Sequence, residues 1–68
     1  MLVEVHIDGA RACLNDERIV MLVDGEDGKA VIIYNGGNGK NTQIAIDESY
    51  EDVFETLGGE YGEESEEN

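Results

Sequence analysis

The chain has little positive charge, one cysteine and no long apolar run. Its single Cys13 excludes a disulfide within the 68 residues, and we expect this thiol to lie in a reducing, cytoplasmic setting. No apolar segment approaches the roughly 20 residues that span a bilayer, and the first residues are not a basic stretch followed by an apolar run. The sequence therefore predicts a soluble protein that neither enters nor binds a membrane.

Only four residues are Lys or Arg, against seventeen Asp and Glu, which gives a net charge of −13. Five of the Glu residues lie in residues 59–68, so residues 1–58 still carry a net charge of −8. This excess repels phosphates, and direct nucleic-acid binding is not expected. It favours a basic protein partner, including a surface that normally holds DNA or RNA. The alternative is that the charge only keeps a small protein soluble.

Residues 1–58 are expected to form a single domain, because they hold nearly all the large apolar side chains. Residues 59–68 are acidic and poor in such groups, and we expect them to be a disordered tail. A domain this short buries only about 60% of the surface of its unfolded chain. Its stability is therefore marginal unless a partner contributes.

Five short apolar segments have the patterns of β-strands, with alternation in the first two and β-branched residues in the others. Asp8-Gly9 predicts a two-residue hairpin turn, and the Gly- and Asn-rich residues 35–39 predict a longer one. Residues 15–18 predict one turn of helix or a tight bend. The strands are expected at residues 1–7, 10–14, 19–23, 30–34 and 42–46.

A helix is predicted to open at residues 47–49 and to end at Gly58-Gly59. Ser49 and Asp52 resemble a capping box at its start. One apolar stripe follows at helical spacing, formed by Tyr50, Val53, Phe54 and Leu57. The sequence thus predicts an α+β fold, in which a small antiparallel sheet of about five strands, in the order β-β-β-β-β-α, is covered by one C-terminal amphipathic helix.

The middle strands, residues 19–23 and 30–34, are apolar at nearly every position. Both of their faces therefore favour burial, and a single helix of about nine residues covers only one face. Either the sheet closes into a small barrel or another chain covers the second face. We favour self-association, most simply as a symmetric dimer.

The candidate partner-binding residues are acidic residues of the predicted helix and an aromatic residue of the tail. Electrostatic attraction to a basic surface would raise the association rate, and a few apolar groups would set the affinity. Tyr61, alone among acidic residues, is the candidate anchor. The set is Glu48, Glu51, Asp52, Glu55 and Tyr61.

Two loops invite comparison with known binding motifs. Residues 35–41 superficially resemble a phosphate-binding loop, but no helix follows and Lys40 is not followed by Ser or Thr. They are expected to be a hairpin turn, with Asn35, Asn38, Lys40 and Asn41 as a candidate ligand loop. Residues 24–28 lack the alternate ligands and the distal Glu of a calcium loop, and we interpret them as a solvated turn.

His6 and Cys13 fall on facing strands and are expected to lie near one another. A thiolate nucleophile needs a base and a third, orienting group, and zinc needs about four ligands. We interpret His6 as a half-exposed strand residue and Cys13 as a small apolar one. The remaining carboxylates lie in turns, on a helix exterior or in the tail. No catalytic residue, metal site or cofactor is therefore predicted.

Five elements follow one another in a recognisable order: residues 3–9, Leu14-Asn15 with Ile19, residues 30–34, Asn38-Gly39-Lys40, and residues 47–57. With this pattern the chain resembles, over about residues 1–57, the small FlbD/SwrD-like family of flagellar and swarming motility accessory proteins. It departs from the family pattern by extra Gly and Asn in its second turn, by residues 25–29 in place of a Pro-Asp-Thr region, and by its acidic tail. The resemblance implies no enzymatic activity and no cofactor.

These observations together predict a non-enzymatic, acidic protein-interaction module that is self-associated and binds a basic protein surface. Small acidic proteins of this kind also resemble phage-encoded inhibitors that occupy nucleic-acid grooves of host enzymes. A phage-type inhibitor or nucleic-acid mimic is therefore the leading specific interpretation. A motility accessory protein is the first alternative, and an oligomeric small-ligand binder or sequestering protein is the second.

Overall fold

Five antiparallel strands are followed by one helix in the computed structural model, which describes the backbone of residues 1–66 and the side chains of residues 1–58. The predicted fold class and order of elements are confirmed. In chain order the elements are β1 (Leu2–Ile7), β2 (Ala10–Asn15), β3 (Ile19–Asp24), β4 (Ala30–Asn35), β5 (Asn41–Ala45) and α1 (Tyr50–Glu66).

The strands form two sheets, whereas the sequence predicted one. Strands β1 and β2 pair with each other, and β3, β4 and β5 form a separate sheet in that order. A single 3-10 turn, Asp16–Arg18, lies between β2 and β3 and redirects the chain. The Asn15 side chain accepts a hydrogen bond from the Glu17 N–H at 3.0 Å, so the predicted helical turn with cap chemistry is confirmed.

The β1–β2 hairpin is closed by the predicted Asp8-Gly9 turn. Both residues have positive φ, 51° and 85°, which is the backbone of a type I′ turn and matches the twist of paired strands. The register places Val3 opposite Leu14, and both side chains are buried together with Val5. The predicted alternation of β1 and β2 is therefore confirmed.

The three-stranded sheet has one covered face and one uncovered face. Leu22, Ile32 and Ile44 form a cross-strand row on the covered face, where Ile32 is 1% exposed. This face packs against the β1–β2 hairpin and helix α1. The buried apolar side chains of the core are Val3, Val5, Leu14, Ala30, Ile32, Ile46 and Val53.

Residues 46–48 join the two sheets through backbone hydrogen bonds. The Asp47 N–H donates to the His6 carbonyl of β1 at 2.7 Å. The Ala30 N–H of β4 donates to the Glu48 carbonyl at 2.8 Å, and the Ile46 N–H donates back to Ala30 at 3.0 Å. This short segment therefore holds β1 and β4 on either side of the core.

Helix α1 begins at Tyr50, after the predicted cap residue Ser49, and its backbone continues to Glu66. The sequence predicted its end at Gly58-Gly59, and Gly58 is the last residue whose side chain the structure describes. The predicted disordered tail, residues 59–68, lies outside the residues whose side chains the structure describes.

The second face of the middle sheet is not covered by any described residue. The two sheets do not close on each other, and several apolar side chains of β3 are exposed. On this face Met21 is 55% exposed and Val23 is 37% exposed, and Val20, at the register shift of β3 against β4, is 54% exposed. Of the two arrangements that the sequence left open, the closed barrel is therefore not formed.

Candidate functional site

Three of the predicted partner-binding residues lie together on the exposed side of α1. Glu51, Asp52 and Glu55 are all exposed, and no salt bridge among the described side chains involves them. The Ser49 hydroxyl accepts a hydrogen bond from the Asp52 N–H at 3.1 Å, so the predicted cap is confirmed. Carboxylates in the first turn are further stabilised by the positive end of the helix dipole.

Phe54 belongs to the same exposed side, although the sequence predicted it in the apolar stripe. With 3.6 residues per turn it lies at the edge of that stripe, next to Glu51 and Glu55, and it is 52% exposed. Its ring stacks on Tyr50, with centroids 6.0 Å apart and an interplanar angle of 9°. We call Glu51, Asp52, Phe54 and Glu55 the acidic-aromatic face.

A glycine one turn further along α1 makes room for the Phe54 ring. A Cβ atom at Gly58 would lie 3.2 Å from the Phe54 Cε1 atom, which is closer than nearly all Cβ contacts. The Cδ1, Cε1 and Cζ atoms of the ring therefore lie against the bare backbone of Gly58, and the ring remains 52% exposed. This arrangement presents an aromatic surface beside carboxylates, the combination that attracts Lys and Arg side chains.

Glu48 does not join the acidic-aromatic face. It precedes α1, and its carboxylate is hydrogen-bonded to His6, 42 residues away in sequence. The Oε1 atom accepts the His6 backbone N–H at 3.0 Å, and the Oε2 atom lies 2.7 Å from the imidazole Nδ1. Glu48 thus connects strand β1 to the start of the helix. The side chain of Tyr61, the predicted anchor, lies outside the described residues.

The neighbouring Asp47 carboxylate holds the β1–β2 turn. It accepts the backbone N–H groups of Asp8 at 3.1 Å and Gly9 at 2.8 Å, and Lys29 Nζ lies 3.8 Å from it. The hydrogen bond from the Gly9 N–H is the main reason why the pKa of Asp47 lies below its usual value. The hydrogen bond from the Asp8 N–H lowers this pKa further. Sequence reasoning missed this pairing and that of Glu48, because only the fold brings residues 6–9 to residues 47–48.

The His6–Glu48 pair shifts both pKa values. The hydrogen bond to Glu48 raises the pKa of His6 above its usual value, and the Glu4 carboxylate, 3.9 Å from Nε2, adds to this. Burial acts to raise the pKa of Glu48, but the hydrogen bonds from the His6 side chain and backbone outweigh it and leave that pKa lowered. The pair is therefore an imidazolium and a carboxylate at mildly acidic pH.

The pH dependence of stability follows from these directions. The contribution of His6, whose pKa is raised in the folded state, is complete below about pH 6.5 and is lost as pH rises through the folded value. The contributions of Asp47 and Glu48, whose pKa values are lowered, are present above about pH 4.3 and are lost as pH falls. We expect the thermal unfolding midpoint to be highest between these limits and to decrease from pH 5.5 to pH 7.5.

The His6→Gln variant checks this prediction in thermal unfolding followed by circular dichroism. The decrease between pH 5.5 and pH 7.5 should be absent from this variant. In an NMR titration, Glu48→Gln should return the pKa of His6 toward its usual value. An equal decrease in the wild type and in His6→Gln would contradict the assignment to His6.

Side chains of the candidate ligand loop accept hydrogen bonds from the backbone N–H groups of the same loop. The Asn35 side chain accepts the Gly37 N–H at 2.9 Å, and the Asn38 side chain accepts the Lys40 N–H at 3.2 Å. These two Asx turns use the side-chain oxygens that a ligand would need. Lys40 and Asn41 are exposed. The expected hairpin turn is therefore formed, with Asn35 directly opposite Asn41 at its base.

The remaining chemical candidates lie on one face of the β1–β2 hairpin. Cys13 is exposed and lies across from Glu4, whose carboxylate is 3.9 Å from His6 Nε2, while His6 lies across from Arg11 and is hydrogen-bonded to Glu48. Cys13 lines a surface depression of about 320 Å³ with Glu4, Arg11 and Ala12. Among the described residues no group of three or more His, Cys, Asp or Glu side chains is placed to hold a metal ion.

Residues 24–28 form a turn that is closed by hydrogen bonds to Lys29. The Asp27 side chain accepts the Lys29 N–H at 3.2 Å, and the Gly25 N–H donates to the Lys29 carbonyl at 2.9 Å. The Asp27 carboxylate is therefore engaged with the backbone of the loop. The expectation of a turn is confirmed.

Comparison of the chain with protein-family models, with curated proteins and with solved structures finds no match. The resemblance to the FlbD/SwrD-like family therefore stays a prediction. Neither helical segment in the described part of the chain has the length and apolar character needed to cross a bilayer.

Proposed function

We propose that the chain is a non-enzymatic, cytoplasmic interaction module that binds a basic protein surface through the acidic-aromatic face of α1. The observation that supports this most is the exposed Phe54 ring next to Glu51 and Glu55 on α1, where these two carboxylates and that of Asp52 have no cationic partner among the described side chains. A Lys or Arg side chain can contact the ring face and a carboxylate together. The carboxylates accelerate encounter, and the ring contributes buried apolar area.

The few basic side chains of the chain lie elsewhere. Arg11 pairs with Glu4 at 3.4 Å, Lys29 lies 3.8 Å from Asp47, and the Arg18 Nη1 atom lies 3.5 Å from the Asn35 carbonyl. The negative field around α1 is therefore not neutralised by these groups. A basic surface that normally binds nucleic acid is the partner class that this field fits best, and a phage-type inhibitor or nucleic-acid mimic is the specific form of the proposal.

The mechanism predicts that neutralising the helix carboxylates weakens binding to a basic peptide. We expect Glu51→Gln, Asp52→Asn and Glu55→Gln together to raise the Kd for a deca-arginine peptide at least about 10-fold. We expect Phe54→Ala to raise it about 5-fold, because it removes the cation–π contact. Isothermal titration calorimetry measures both effects, and NMR shifts should concentrate on residues 50–57.

A matched control neutralises three exposed acidic residues elsewhere. Glu17, Asp24 and Glu26 lie on the 3-10 turn, at the end of β3 and in the following loop. Their replacement changes the net charge equally and should raise the Kd by no more than about 3-fold. Equal weakening by both triple variants, or binding unchanged from 50 to 500 mM salt, would contradict the proposal.

A motility accessory role is the second candidate, because the observed order of strands and helix is the order that the FlbD/SwrD-like resemblance implies. The genes that neighbour the coding gene discriminate the two roles. Flagellar motor genes would favour motility, and phage or anti-defence genes would favour an inhibitor.

A further inference from the structure

The uncovered face of the three-stranded sheet forms a contiguous uncharged surface, apolar at five of six positions, that the acidic-aromatic face does not include. The strand register places Met21, Ile33 and Gln43 in one cross-strand row and Val23, Val31 and Ala45 in the next. We call these six residues the outer sheet face. Single exposed apolar residues are normal, but adjacent rows on three strands are typical of an interface. We propose that a second copy of this chain covers the outer sheet face.

The absence of charge on this face favours a second copy over a basic partner. None of the six side chains is charged, although the whole chain has a net charge of −13. A basic partner that docked here would bury its Lys or Arg side chains without a carboxylate to pair with them, which is costly. A second copy brings the same uncharged surface, and a two-fold axis through the middle of the face apposes like with like.

The exposure of the edge strand fits the same occupant. Met21 is more than half exposed, while Val31 and Ile33 of the central strand are half-buried by their neighbours on the sheet. Two such sheets packed face to face lie about 10 Å apart and bury these rows against each other. Burial of the exposed methyl and thioether groups removes apolar surface from water at about 25 cal/mol per Å².

The size of the face sets the strength of the dimer. Three strands about 4.8 Å apart, with rows about 7 Å apart along each strand, give a few hundred Å² per copy. Stable complexes bury about 800 Å² per partner. We therefore infer a weak dimer that forms at high protein concentration. The acidic surfaces around the face repel each other, so salt should strengthen it.

Analytical ultracentrifugation of the full chain between about 10 µM and 1 mM tests the inference. The wild type should shift from monomer to dimer over this range, and a change from 50 to 500 mM salt should lower the Kd. Met21→Glu should raise the Kd at least about 50-fold, because the two-fold axis places two new carboxylates in an apolar interface. Met21→Gln should raise it about 5-fold.

Leu2→Glu is the matched control, because Leu2 is 68% exposed on the other sheet and receives the same charge. It should leave the Kd unchanged within about 3-fold. Thermal unfolding checks that each variant folds as the wild type does. A wild type that stays monomeric at 1 mM, or a dimer that Met21→Glu leaves intact, would overturn the inference. The inference would also be overturned if the wild type is monomeric and the Met21→Glu variant no longer binds deca-arginine.

The inference is independent of the proposed function. The two proposals use different faces and predict opposite responses to salt, because attraction to a basic partner weakens as salt rises. If the helix variants fail to affect peptide binding while Met21→Glu dissociates the dimer, only the proposed function is wrong.

Discussion

Ile32→Ala is expected to lower the free energy of unfolding by about 2 to 5 kcal/mol. Ile32 is 1% exposed at the centre of the core, with strands on both sides of it and Val53 of α1 in the same cluster. Truncation removes buried apolar area and leaves a cavity that the paired strands cannot close. Since a domain of this size rarely has more than about 5 kcal/mol of stability, the variant should be largely unfolded.

Ile33→Ala is the matched control, because it makes the same chemical change one residue away on the opposite face of β4. Ile33 is half-buried, and its truncation should cost the monomer less than about 1.5 kcal/mol. Urea unfolding followed by circular dichroism at 10 µM measures both variants. A cost for Ile33→Ala equal to that of Ile32→Ala would contradict the assignment of the two faces.

Gly25→Ala is expected to lower the free energy of unfolding by about 1 to 3 kcal/mol. A Cβ atom at Gly25 would overlap the Lys29 carbonyl oxygen, an impossible contact with backbone. The Gly25 N–H also donates to that carbonyl at 2.9 Å. Relief of the clash therefore breaks the hydrogen bond that closes the β3–β4 turn and displaces the start of β4, where Ala30 is fully buried.

Gly36→Ala provides the comparison in the other loop. Neither glycine has positive φ, so the two substitutions differ mainly in the space around the new methyl group. At Gly36 the nearest atom, Asn38 Oδ1, would be 3.8 Å away, an ordinary contact. The free energy of unfolding of this variant should lie within about 0.5 kcal/mol of the wild-type value or slightly above it. A Gly25→Ala variant as stable as Gly36→Ala would show that the loop adapts without cost.

The two surfaces that we propose as interfaces differ in the chemistry that defines them. Three of the four side chains of the acidic-aromatic face are negatively charged, whereas no side chain of the outer sheet face is charged. A dimer formed through the sheet would leave α1 on the far side of each copy, because α1 packs on the covered face with Val53. Two copies of the acidic-aromatic face would then be available to partners, which gives avidity toward a repetitive basic surface.

Local sequence patterns are enough to predict the strands, the start of the helix and the short turns. Alternation in β1 and β2, the Asp8-Gly9 turn and the Ser49 cap are set by contacts within a few residues, so pattern and propensity suffice to predict them. The excess of apolar residues in β3 and β4 also indicated in advance that one face would lack a covering helix. The net charge is likewise obtained by counting residues in the sequence.

Contacts between residues far apart in sequence depend on how the elements pack together. Glu48 was predicted on a helix face and instead binds His6, and Asp47 holds the backbone of Asp8 and Gly9, because segment 46–48 passes between β1 and β4. No local pattern encodes a contact between residues about 40 positions apart. The same reason explains why the strands divide into two sheets. Whether Phe54 enters the core depends on how α1 is rotated about its axis relative to the sheet. That rotation is set by packing and cannot be read from helical spacing.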